Sequence, residues 1–247
     1  MKTQVAYKGK EAGFSLVELI IAMTLTLVVL TIATTLLARS LNIRTRANDN
    51  VDALADAERA LNIMSREISQ AGFNLSVGEN GIVAGDSITD GNGNSTIRIR
   101  ANLNRFDTTA PDNARNGISQ PDWDRGEDIE YYIYPAAETT LLARYDAFDG
   151  TGKSTVLANK LDKMRIHYFA QKVTYSTPPA TDTNLANCDI TAPSAAEVLP
   201  GAAKYVVIAV CVKQQAVGVP GGAGYQPPHL LLLTSDVALR NANLVNY

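Results

Sequence analysis

The sequence has little of what enzymes and nucleic-acid binders usually carry. It contains two histidines, His167 and His229, which lie far apart and show no metal-ligand spacing. Lysine and arginine number 22 against 25 aspartates and glutamates, for a net charge of −3. No basic excess exists to meet a phosphate backbone, so direct nucleic-acid binding is not expected. There is no Gly-x-Ser-x-Gly elbow and no His-Glu-x-x-His pair. The run Gly221–Gly222–Ala223–Gly224 leads into no helix with a Lys-Ser/Thr, which excludes a P-loop. The expectation is therefore a protein that is not an enzyme and takes no cofactor. Two further scarcities are positional. Neither glycine nor proline occurs between Phe14 and Gly72, and Phe14–Ala38 contains one charged residue, Glu18.

What is present starts with that apolar stretch. Its 25 residues from Phe14 to Ala38 are long enough to cross a bilayer as a helix. Ahead of it, residues 1–13 carry Lys2, Lys8 and Lys10 against Glu11, a positive leader that favours the cytoplasmic side. Arg39, Arg44 and Arg46 follow the span and weigh weakly the other way. An ordinary secretory signal would have a shorter apolar part followed by an Ala-x-Ala-like site. A simple uncut signal anchor remains the plain alternative. Glu18 is the anomaly, because an ionisable group in an apolar span costs a few kcal/mol and usually has a partner. It is the fifth residue counted from Phe14. Cleavage between Gly13 and Phe14 would create an amine about one helical turn away. In a packed assembly the carboxylate of one subunit would neutralise the amine of its neighbour.

These residues resemble a known family. GFSLVELIIAM (13–23) is similar to the type IV prepilin signal, in which a Gly–Phe bond precedes a glutamate at mature position five. The resemblance implies removal of residues 1–13 by a prepilin peptidase after Gly13 and N-methylation of Phe14. It also implies an assembly charge pair through Glu18. Major pilins usually carry a proline about two-thirds along the apolar run. Thr31, Thr34 and Thr35 stand near that place here, which points to a minor subunit. RALNIMSREISQAGFNL (59–75) resembles the helix end of PilW-type minor pilins and of the related J-type pseudopilins of type II secretion. EDIEYYIY followed by TTLLARYD resembles the central hairpin of the PilW type. Leu161–Tyr168 resembles the strand after it, and SDVALRN (235–241) the closing segment.

The expected function is thus a minor pilin that primes a filament or sits at its tip. A J-type pseudopilin is the alternative, and a single-pass membrane-anchored periplasmic binding protein or enzyme is the more distant one. The implied partners are major and minor pilins, the prepilin peptidase and the inner-membrane assembly platform. The implied location is the bacterial inner membrane, with a periplasmic C-terminal domain, and later the filament at the cell surface.

The rest of the chain is expected to be α+β. Val51, Leu54, Ala57, Leu61, Met64, Ile68 and Ala71 form an apolar stripe at helical period. Asp49, Asp52, Asp56, Arg59, Arg66 and Glu67 lie off it, and Gly72 is a natural C-cap. This divides the chain into a leader (1–13), a membrane or filament-core helix (14–38), an amphipathic helix half (39–72) and a β-rich domain (73–247). Hydrophobic residues at 46% and charged residues at 19% suffice for a packed core. Predicted strands are Ser95–Ala101, Asp128–Tyr134, Thr140–Tyr145, Lys163–Ala170, Tyr205–Lys213 and Leu230–Ser235. They form a mostly antiparallel sheet under the helix, with the wholly apolar Tyr205–Val212 as a central strand.

Two further sites are candidates. In an exported domain Cys188 and Cys211 commonly pair, stabilising the fold by about 3 kcal/mol. One buried and one free thiol is the rival arrangement. Asp122, Asp124, Glu127 and Asp128 form an acidic cluster that could hold calcium through oxygen ligands or be a solvated loop.

Overall fold

A computed structural model describes residues 15–75, 80–85, 87–89, 91, 93–103, 126–135, 140–147, 152–178, 188–222 and 225–241. The chain divides into two units, Met1–Thr45 and Arg46–Tyr247. Helix α1, Leu16–Ser69, supplies residues to both. Nothing in its sequence breaks it: the first glycine after its start is Gly72, which lies just beyond its end at φ +83°.

In the second unit the strands are β1 (Ile97–Arg100), β2 (Asp128–Pro135), β3 (Thr140–Asp146), β4 (Lys153–Ala158), β5 (Leu161–Phe169), β6 (Tyr205–Gln214) and β7 (His229–Ala238). They make two sheets, ordered β1-β2-β3-β4 and β5-β6-β7, and every pair is antiparallel. The α+β layout is as expected. The single sheet foreseen is in fact two, and β4 is a strand that the pattern did not announce. Its sequence, KSTVLA, has no apolar alternation, because it is an edge strand whose first four residues are exposed. The turn after it carries no glycine. Lys160 adopts the left-handed conformation there (φ 59°), and the chain passes from one sheet to the other.

The core explains the helical stripe and corrects its upper end. Ala53, Ala57, Ala60, Leu61, Met64, Ile68 and Ala71 are buried. They pack on Ile97, Tyr131 and Leu142 of the first sheet and on Met164, Val206, Ile208 and Val210 of the second. Val51, by contrast, is 64% exposed, so the buried face begins at Ala53. Small alanines occupy that part of the stripe.

Strand β6 is apolar from Tyr205 to Val212 because that stretch is covered on both faces. Val206, Ile208, Val210 and Val212 face the helix side. Tyr205, Val207 and Ala209 meet Val173 and Ile190, with Tyr175 and Ala195 beside them, on the other side. The two-sided burial expected of a central strand is therefore achieved with a helix on one face and a loop on the other.

Side chains and backbone groups fix residues 50–70 against the rest of the second unit. Asn50 exchanges two hydrogen bonds with the backbone of Gln215, at 3.1 and 3.0 Å. Ser65 and Ser235 share a hydroxyl bond of 2.6 Å. At the C-terminal end the carbonyl of Ser69 accepts from the Arg240 N–H, and that of Gln70 from the Asn241 side chain. Carbonyls that a helix end leaves unpaired are thus satisfied by the segment after β7.

Candidate functional site: the apolar helix and the polar clusters of the domain

The apolar half of α1 is defined by the absence of burial. Its most apolar 18-residue window has a mean hydropathy of 2.5, and none of it is buried. Leu16, Ile20, Met23, Leu27, Leu30 and Leu37 are all exposed. A stretch from residue 16 to 38 is roughly 35 Å of helix at ~1.5 Å per residue. The hydrocarbon core of a bilayer is about 30 Å thick. Five threonines interrupt the aliphatic run, and each hydroxyl donates to a carbonyl one turn back. The acceptors are Ile21 for Thr24, Ala22 for Thr26, Leu27 for Thr31, Leu30 for Thr34 and Ile32 for Thr35. Their polarity is spent inside the helix, as a lipid or filament-core setting requires. The helix runs unbroken through Thr31, Thr34 and Thr35, where major pilins usually carry proline. Glu18 is left as the polar exception. It sits in the first turn and is exposed, and among the described residues it has no partner. Gly13 and Phe14, the expected cleavage and methylation positions, lie outside the described residues.

In the second unit, polar side chains form clusters that the sequence did not reveal. Glu67, placed off the stripe by its spacing, is only 17% exposed. It accepts a bond from the Tyr131 hydroxyl and another of 3.0 Å from Arg144. Burial and the Glu67 carboxylate push the Tyr131 phenol well above its ordinary pKa, so it stays a donor. Burial would lower the Arg144 pKa, but Glu67 outweighs it and raises it. Arg144 also meets Asp146 at 3.4 Å. The legible signal was position: Glu67 follows Met64 by three residues and so borders the buried face.

The acidic cluster of the sequence does not assemble as a calcium site among the described residues. Asp128 is buried and held by Arg98 at 2.7 Å and Arg100 at 3.0 Å. Glu127 accepts a bond from the Leu103 N–H at 2.8 Å. Two guanidinium groups already supply the charge a cation would bring. Asp122 and Asp124 lie outside the described residues.

The remaining cluster lies on the outer face of the second sheet. Cys188 and Cys211 form a disulfide with a Cα–Cα distance of 5.9 Å. Next to it, His167 is bonded through both ring nitrogens, to Asp189 at 2.7 Å and to Glu197 at 2.8 Å. Burial would lower the His167 pKa, but the bonds to Asp189 and Glu197 prevail and raise it. His229, at the start of β7, lies near the Pro227 carbonyl at 3.3 Å and takes no part in this cluster.

The comparisons with known proteins bear on the apolar helix alone. No curated protein and no solved structure matches the chain. Residues 8–34 match the family described as the prokaryotic N-terminal methylation motif. The matched segment holds Gly13, Phe14, Glu18 and the apolar run up to Thr34. It indicates a type IV pilin-like or pseudopilin protein, with a helix suited to single-pass membrane association and to assembly in pilus-type filaments.

Proposed function

We propose that this chain is a minor pilin of the PilW type, made as a precursor and cut between Gly13 and Phe14. The observation that carries the reading is the methylation motif over residues 8–34, whose residues 16–34 lie on a helix with none of its apolar window buried. In this reading residues 1–13 are the leader, and Phe14 becomes the methylated N-terminus. Residues 14–38 anchor the subunit in the inner membrane and then enter the filament core. Residues 39–72 continue the helix onto the periplasmic domain, residues 73–247. Glu18, which has no partner among the described residues, meets the N-terminal amine of a neighbouring pilin. The role is structural rather than catalytic.

A J-type pseudopilin is the second reading, because the same motif serves both systems. Coexpression with a prepilin peptidase, followed by intact mass measurement, tests the common part. Loss of residues 1–13 with gain of one methyl group is expected. An unprocessed chain would return the protein to the class of single-pass anchored binding proteins or enzymes. Crosslinking in native membranes separates the first two: adducts with pilus subunits support the minor pilin, and adducts with type II secretion components support the pseudopilin.

A further inference from the structure

The outer face of the β5-β6-β7 sheet is covered by a strap, residues 188–199, attached at several points. Its first residue is covalently bound through Cys188 to Cys211 of β6. Its middle pairs with residue 176, where Ser176 and Thr191 exchange two backbone bonds of 2.8 Å. Its far corner is held by the Val198 N–H, which donates to the Tyr168 carbonyl at 2.8 Å, and by Glu197 on His167.

The His167 bonds set a condition on the ring. A carboxylate only accepts, and a neutral imidazole has one N–H. Both bonds can therefore exist together only when both nitrogens carry protons. On loss of one proton, a ring lone pair would face a carboxylate. The two carboxylates are not equally placed to leave. Asp189 is 24% exposed, also accepts from the Ile190 N–H at 2.8 Å, and has Arg165 at 3.7 Å. Glu197 is 50% exposed, and among the described residues its bond is to His167.

We propose that His167 is a proton-dependent latch on the 195–199 corner of the strap, beyond the two bonds that tie Ser194 to Thr174. Protonated, it holds the corner down through Glu197. Neutral, it keeps Asp189 and releases Glu197 to water, while the disulfide keeps the other end in place. The charged and titratable groups around His167 support this direction. From the strap they are Asp189 and Glu197. Its own strand contributes Arg165 and, further along the same face, Lys163. Tyr205 lies on β6. On β7 is Asp236, opposite Val207 in the same row and bonded to Tyr175 at 2.6 Å. Carboxylates lie on two sides of the ring, which favours its charged form. The latch is thus closed below the ordinary histidine value near 6.5 and opens as the pH rises through a higher folded value.

Hydrogen exchange of the full chain in detergent micelles tests this, with rates corrected to protection factors for intrinsic pH dependence. Between pH 6 and pH 9, protection of a peptide containing Val198 is expected to fall about five- to tenfold, the scale of one ordinary hydrogen bond, because Glu197 is half exposed. Peptides from β6 should not change. His167→Gln, which has no proton to lose, should show low protection at both pH values. Glu197→Gln leaves the core untouched and should remove the pH dependence at the corner. Constant protection in the wild type, or an undiminished pH effect in Glu197→Gln, would overturn the latch.

Discussion

At the scale of single residues, the groups that matter most in the domain are those bordering the buried stripe. Ile68 and Met64 are fully buried between the helix and both sheets. Ile68→Ala is expected to cost about 2–5 kcal/mol in unfolding free energy, measured by denaturant titration. Glu67 should matter for a different reason. Glu67→Gln leaves the partly buried Arg144 with only its longer contact to Asp146, for an expected loss of about 1–3 kcal/mol. A double-mutant cycle with Arg144→Met should show strong coupling, and additive effects would mean that the pair is not a unit. Sequence spacing alone located Ile68, because burial of an apolar face has a period. It could not locate the bond from Glu67 to Tyr131, because partners 64 positions apart in the chain leave no local pattern. The same holds for His167 with Asp189 and Glu197. A lone histidine in an alternating strand announces nothing about a loop 22 and 30 residues away.

At the scale of elements, legibility followed how strongly each element must be apolar. Strand β6 and the amphipathic half of α1 were readable because each is covered over a wide surface, and the first half of α1 because it is a long apolar run. Strands β2, β3, β5 and β7 were placed to within a few residues. Strand β4 escaped because an edge strand needs no buried face, and its turn used Lys160 where a glycine would have marked it. The division into two sheets also left no trace, since each strand carries the same pattern in one sheet as in two. The strap is the element on which the disulfide acts. Replacing Cys188 and Cys211 with serine should destabilise the domain by about 2–5 kcal/mol. Non-reducing intact mass should show two hydrogens fewer than the reduced protein. A Tm unchanged by reduction would mean that the sheet face is held by packing alone.

At the scale of the whole molecule, the decisive property is the contrast between the two units: one a helix without a covered residue in its apolar window, the other a domain with its own core. Glu18→Ala is expected to leave cleavage at Gly13–Phe14 intact and to abolish entry into filaments. Shearing the filaments and blotting for this subunit checks that outcome, and normal incorporation would refute the charge pair. The isolated charge of Glu18 in an apolar helix was legible from residues alone, because the cost of a charge in an apolar span is local.

The bonds from Arg240 and Asn241 to the end of α1 also fix an order of events in time. The amphipathic half of α1 emerges from the ribosome early, but the segment that covers its last carbonyls emerges last of the described elements. Strand β7 completes the second sheet at the same late moment. The last turn of α1 therefore waits for these partners until roughly 170 more residues have been made. A chain stopped before His229 would lack the third strand of the second sheet and the groups that meet the Ser69 and Gln70 carbonyls. It is then expected to be cleared by proteases rather than to persist as a shorter subunit.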